Sequence, residues 1–281
     1  SLGVDGSNAV RSYNEGDFNS IQSVETVESQ YPLRVECCEV RTGACGDGRY
    51  RGGFGLRRDI RILGDNAMLS VLSEKNVIPP YGVVKGCNAA ANRFVVLRDG
   101  KEVEPSDVPG KVSGFTLQKG DVVREETAGG GGYGDPLTRD PKQVMEDIRL
   151  GYLTIEQAQL RYGLALTESG KIDFEKTDER RSELESSRVE VTLKITEKED
   201  MEGARRRFAV SSVLAMRLKI EQDDLVEILG NAAAPLRGWA RVIEGAETVI
   251  SVGPVGMKLL NSIDGQLAEI RAVRSRPFGV M

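Results

Sequence analysis

The stretch "REETAGGGGYGDPLTRDP", residues 124–141, decides how this chain is read. Four consecutive glycines, Gly129, Gly130, Gly131 and Gly132, run into Tyr133, Gly134 and Asp135. Three readings compete. A glycine-rich loop can cradle a phosphate by converging its backbone N–H groups, usually at a helix N-terminus. The P-loop form needs a Lys and a Ser or Thr after its glycines, and here Tyr133 and Gly134 follow. The dinucleotide form needs a strand, GxGxxG and a helix in a βαβ unit, with an acidic residue further on. This loop does follow a strand, but a Pro-containing turn intervenes and its surroundings are antiparallel β. The second reading is a strand exit with positive-φ residues and close backbone packing, which glycine accepts at low cost. The third is backbone packed against a partner chain or the rim of a site. The residues fit the second best, and the third stays open.

Upstream of the loop the chain is all β. "YPLRVECCEVRTG" (31–43) alternates Leu33, Val35 and Cys37 against Arg34, Glu36 and Cys38, which predicts a strand with one buried face. Residues 1–30 are polar and read as irregular. "ACGDGRYRGGFGLRRDIRIL" (44–63) is a glycine-rich turn feeding a second strand. "GDN" (64–66) reads as a hairpin turn with "AMLSVLSE" (67–74) as its return strand. "RFVVLRDGKEVEP" (93–105) is a hairpin around Asp99-Gly100, and "GFTLQKGDVVREET" (114–127) gives two short strands.

Downstream the period changes. Asp140-Pro141 is a helix start, with an Asp cap followed by Pro at the first helical position. Thr154 with Gln157 three residues on forms a capping box for a second helix, ending near Gly163. Residues 167–188 are charged and predict a solvated helix and linker. Residues 189–281 return to β alternation, with a short helix expected near 253–265 and no long internal repeat apparent.

Composition narrows the chemistry. The 281 residues carry a formal net charge of −5, with 29% charged and 5% aromatic residues. That argues against a nucleic-acid partner, and no run of apolar residues long enough for a membrane span occurs. A cytoplasmic protein is the expectation. The four cysteines, Cys37, Cys38, Cys45 and Cys87, show no CxxC spacing and read as free thiols rather than a zinc site. The sequence contains no histidine. It therefore offers no imidazole for a Ser–His or Cys–His pair and no His metal ligand. No metal site is expected in this chain, and the sequence assigns no catalytic residue.

The run "ETAGGGGYGDPLTRDPKQVMEDIRLGYLTIEQAQLRYGLAL" closely resembles the C-terminal part of the hydantoinase B/oxoprolinase family. "YPLRVECCEVRTGACGDGRYRGGFGLRRDIRIL", "MLSVLSE" with "PPYG", "KVSGFTLQKGDVVREET" and "KIDFEKTDERRSEL" agree in order, so the resemblance spans roughly 3–185. One departure is visible: "VKGCNAAANRF" (84–94) stands where the family usually has a GGxxGxxG segment, which puts a substrate site there in doubt. The resemblance implies a subunit of an ATP-dependent complex that opens cyclic amides or imides, or of a ketone carboxylase of the acetone or acetophenone type. It implies a hydantoinase A-like partner that binds ATP and Mg, and an N-terminal hydantoinase B-like partner holding a divalent metal. This chain, alone without cofactor and inactive, would be a split or processed C-terminal portion within a hetero-oligomer. A non-catalytic assembly scaffold is the rival.

The expected architecture is mainly β (α+β). Residues 1–186 would form a hydantoinase B-like region: a β unit at 31–127, the glycine loop at 129–134, a helix pair at 140–163 and a charged linker at 167–188. Residues 189–281 would form a small β-rich unit that resembles small barrels such as double-psi barrels.

Overall fold

The computed structural model describes residues 3–9 and 22–273. Of the stretch read as irregular, 10–21 lies outside the described residues, and Val24–Gln30 forms a short helix, α1, capped by Ser23. Seven strands follow: β1 (Leu33–Arg41), β2 (Gly55–Ile62), β3 (Met68–Leu72), β4 (Arg93–Arg98), β5 (Lys101–Val103), β6 (Lys111–Thr116) and β7 (Val122–Glu126). Five of them make one antiparallel sheet in the order β1-β2-β7-β4-β5, and β3 and β6 pair separately. The alternation of β1 holds until a bulge between Val35 and Cys37 shifts the register against β2.

The hairpin expected at residues 64–66 does not form. β2 has its two edges taken by β1 and β7, so β3 finds its partner in β6 instead. The apolar side chains explain this choice. Leu69 and Phe115 of the small sheet pack on Ile62, Val96 and Val123 of the large one, which burial favours over a continued ladder. The hairpin at Asp99-Gly100 does form, because both residues take positive φ (51° and 74°), as a two-residue turn of this hand requires.

The helices begin where the caps place them. Asp140 caps α2 (Pro141–Arg149), accepting from the Lys142 amide, and the Thr154–Gln157 capping box opens α3 (Ile155–Tyr162). Gly163 closes α3 at φ 65°. Val144, Leu153, Ala158, Tyr162 and Leu164 form their shared core. The charged stretch becomes α4 (Phe174–Ser186), of which only Thr177 is buried.

A seven-stranded sheet follows, built from β8 (Glu190–Ile195), β9 (Met201–Glu202), β10 (Arg205–Ser211), β11 (Leu225–Leu229), β12 (Leu236–Ile243), β13 (Val249–Val252) and β14 (Leu267–Ala272). Its order is β13-β8-β14-β11-β12-β10-β9. Helix α5 (Ser212–Leu218) follows β10 and helix α6 (Pro254–Leu260) follows β13. The ladder does not close into a barrel, which corrects the barrel-like expectation: β13 and β10 lie near each other without backbone pairing.

This sheet contains an internal repeat that sequence reading missed. The segments β10-α5-β11 and β13-α6-β14 match position by position at one constant spacing. Ser211 and Gly253 are N-caps, Lys219 and Asn261 end the helices at φ 53° and 50°, and Asp223 and Gly265 turn at φ 67° and 78°. Leu225, Glu227 and Ile228 correspond to Leu267, Glu269 and Ile270. Each half has one parallel pair, β10 with β12 and β13 with β8, and β11 meets β14 antiparallel at the centre. One core fills both halves, with Phe208, Val210, Ile250 and Val252 fully buried.

Candidate functional site

The glycine loop lies where three segments meet: residues 44–53, 79–87 and 129–135. Four of its amides donate within the fold. Gly130 N donates to Gly53 O (2.8 Å), Gly132 N to Cys87 O (2.9 Å), Tyr133 N to Tyr50 O (2.9 Å) and Gly134 N to Val83 O (3.0 Å). Carbonyls are used too: Gly130 O accepts from Gly46 N and Gly132 O from Val83 N. A phosphate cradle needs converging, unengaged N–H groups, so this arrangement answers against that role.

Of the two reasons expected for glycine, close backbone packing holds for most of the run and positive φ for Gly134 alone. Gly129, Gly130, Gly131 and Gly132 do not take left-handed φ; among the loop residues only Gly134 does, at 77°. What excludes side chains is close backbone approach. A Cβ on Gly131 would sit 1.8 Å from Tyr81 O, and one on Gly132 would sit 1.9 Å from Asp47 O. Gly129 is nearly as tight, 2.4 Å from Ala44 O. Gly130 is the exception, with its nearest neighbour, Gly53 N, at 3.4 Å. Facing glycines make the approach mutual: a Cβ on Gly46 would meet Cys87 O at 2.1 Å, and one on Gly86 would meet Gly132 O at 2.1 Å.

The side chains around this hub brace it. Tyr133 is exposed and its ring centre lies 6.3 Å from that of Tyr50. Asp135 caps a single 3-10 turn (Pro136–Thr138), accepting from the Leu137 amide at 3.0 Å and from Arg188 Nη2 at 2.7 Å. Burial pushes the Asp135 carboxyl up, but the hydrogen bonds from Arg188 and Leu137 outweigh it, and its pKa lies below the ordinary value. Beneath the loop, buried Asp47 accepts from Tyr162 Oη at 3.1 Å and faces Arg161 at 3.8 Å, tying the hub to α3. Burial and then the Asp47 charge push the Tyr162 phenol well up. Arg139, fully buried, holds Asp5 (2.6 Å) and Asp147 (2.9 Å); burial opposes its charge, yet these carboxylates leave its pKa raised. The segment 84–94 that departs from the family pattern packs into the same hub: Ala89, Ala90 and Ala91 are buried, and Ala90 N donates to Ala44 O.

The seven-stranded sheet grips the 79–87 segment from the other side. Arg237 Nη1 donates to Pro79 O at 2.5 Å and its guanidinium lies 5.8 Å from the Tyr81 ring centre. Arg271 Nη1 donates to Lys85 O at 3.2 Å, and Val84 N donates to Ala233 O at 2.7 Å. Both arginines are paired with buried or half-buried glutamates at equivalent repeat positions, Glu227 (3.1 Å) and Glu269 (2.5 Å).

Sequence reasoning found the loop and Asp135 but missed the 79–87 segment, Asp47, Tyr162 and the arginine grip. Glycines at 46, 48, 52, 82 and 86 were the available signal, since facing glycines in three segments predict backbone crossing. The arrangement offers rigid positioning. Among the described residues no group of three His, Cys, Asp or Glu side chains is placed to hold a metal, and no helix is long and apolar enough to cross a membrane. None of the four cysteines is in a disulfide.

Residues 1–136 match the Hydantoinase B/oxoprolinase family model, a shorter span than the motifs suggested. The chain is 35% identical over 179 residues to the B component of a putative D-/L-hydantoinase of Pseudomonas sp. (strain NS671), covering 64% of this chain and 30% of that protein. It is 28% identical over 178 residues to the acetophenone carboxylase delta subunit of Aromatoleum aromaticum, covering 52% of this chain and 25% of that one. Acetone carboxylase shares the fold over 65% of this chain and 28% of its own, with a TM-score of 0.53 at 23% identity. The chain thus spans about 30% of the length of the hydantoinase relative it matches.

Proposed function

We propose that this chain, whose residues 1–136 match the hydantoinase B/oxoprolinase family, is a site-completing or structural subunit of an ATP-dependent complex that opens cyclic amides or imides. The observation that carries the reading is the internal use of the loop amides: Gly130, Gly132, Tyr133 and Gly134 bond to their own fold rather than presenting N–H groups to an anion. A loop built this way holds backbone in place and leaves chemistry to other groups. ATP with Mg, and a divalent metal, would then be held by companion subunits, one hydantoinase A-like and one supplying the N-terminal hydantoinase B-like part. Residues 1–186 would be the family-type unit, and 189–281 an appended unit that fixes the 79–87 segment.

A ketone carboxylase subunit is the second reading. The likeness to the acetophenone carboxylase delta subunit favours it, but the hydantoinase likeness is stronger, at 35% against 28% identity. An assembly scaffold is the third. One reconstitution separates them: companion subunits are purified with and without this chain and assayed for ATP-dependent opening of hydantoin or 5-oxoproline and for carboxylation of acetone. Ring opening that depends on the chain supports the first reading, and carboxylation that depends on it supports the second. Turnover by the chain alone overturns the site-completing role. Assembly that depends on the chain, with turnover that does not, supports the scaffold.

A further inference from the structure

A cleft of about 340 Å³ lies between the large and small sheets of the first half, reached from the glycine hub through Ala91 and Asn92. Its floor is Arg41, from the end of β1, and Asn76. Its walls are mixed: Phe94 of β4, Val112 of β6, and Val108 and Pro109 of the connecting loop are apolar, while Asn92, Arg93, Glu104 and Ser106 add polar groups. The volume is at the low end for ligand pockets, which suits a small molecule. Clefts between packed layers, apolar with a few converging polar groups, are where ligands are commonly found.

The charges at the floor are incompletely matched. Arg41 is 2% exposed, and its Nη1 donates to Ala91 O (2.7 Å) and Thr127 O (3.0 Å). Its Nε has no hydrogen-bond partner among the protein's own atoms. The carboxylate facing it, Glu126, stands 3.7 Å from Nε, beyond hydrogen-bond distance, and is shared with Arg93, also at 3.7 Å. Glu126 Oε2 is likewise without a hydrogen-bond partner. Arg93 has partners of its own on the surface, Glu102 at 2.5 Å and Glu104, which also lines the cleft, at 3.7 Å. Two guanidinium groups therefore share the buried Glu126 carboxylate; Arg93 has two further carboxylates, and Arg41, the more buried, has only Glu126 and lines the cleft. A guanidinium carries five N–H donors in a planar fork that matches a carboxylate, and buried donors of this kind call for a partner.

We propose that this cleft binds a small carboxylate with an apolar tail, its carboxylate directed to the Arg41 end and its hydrocarbon against Phe94, Val108 and Val112. The inference concerns binding by this chain alone and does not depend on the proposed function. The test is isothermal titration of the full chain with hexanoate, with hexanamide as the neutral control. Saturable heat is expected for hexanoate and none for hexanamide. Arg41→Gln should weaken hexanoate binding at least ~10-fold. Because Arg41 is buried and its loss endangers folding, a second variant decides independently. Val108 is 58% exposed at the rim, so Val108→Trp should fold normally and block the cleft, again with at least ~10-fold loss. Absence of saturable hexanoate binding overturns the proposal and leaves water as the cleft's occupant. So does equal binding of hexanamide, or hexanoate binding unaffected by Val108→Trp.

Discussion

Gly131→Ala and Gly130→Ala are adjacent, chemically identical changes with opposite expected outcomes. Neither glycine takes left-handed φ, so backbone strain from conformation is absent at both. At Gly131 the new Cβ would lie 1.8 Å from Tyr81 O. Carbon and oxygen that are not bonded stay more than about 3 Å apart, so the two strands must separate by more than about 1 Å. Three ladder bonds span this gap: Val83 N to Gly132 O, Gly132 N to Cys87 O and Gly134 N to Val83 O, at 2.9 to 3.0 Å. Each contributes roughly 1 kcal/mol net, and losing two or three costs about 2–3 kcal/mol, placing the variant in the tail of single substitutions. At Gly130 the Cβ meets Gly53 N at 3.4 Å, a contact that small shifts relieve. Reduced freedom of the unfolded chain there offsets the crowding, and the net change should be under about 0.5 kcal/mol. Urea unfolding followed by circular dichroism measures both, from the midpoint at unchanged slope. Equal midpoints for the two variants, or a Gly131→Ala midpoint matching the parent, would refute the claim that backbone contact dictates the glycines.

Three further outcomes follow from the same geometry. Asp135→Asn keeps an acceptor for the Leu137 amide but loses the Arg188 charge pair, and should cost roughly 1 kcal/mol at neutral pH, discounted for partial exposure. Because the Asp135 pKa is lowered, its contribution is present above the unfolded value near 3.8 and is lost as pH falls through the folded value, so the gap between parent and variant should close in acid unfolding curves below pH ~4. Arg271→Ala releases the Lys85 carbonyl, and hydrogen exchange at the Val84 amide should quicken about tenfold while β2 and β7 amides keep their rates. Thr154→Ala removes the capping box of α3 and should destabilise by about 1 kcal/mol, read as a lower melting temperature.

Features under short-range control were legible in the residues alone. Caps at Asp140 and Thr154, the stop at Gly163 and the Asp99-Gly100 turn depend on a few adjacent residues, and each element forms where those residues place it. Alternation likewise located the strands, since burial of one face needs only a period of two. Strand pairing, by contrast, depended on the folded chain. β3 leaves β2 because β7, distant in the chain (Asp59 pairs with Arg124, for example), occupies that edge, and no local signal records the competition. The glycine run was legible as closely packed backbone that tolerates no side chain, but what it packs against was not: a carbonyl of Tyr81 at the position of a missing Cβ exists only once three distant segments cross. The repeat in the last sheet shows the boundary between the two. Its trace, Leu-Val-Glu-Ile against Leu-Ala-Glu-Ile, stood in the sequence. Only the matched caps, turns and parallel pairs made it a repeat, because backbone geometry is kept where most side chains have changed.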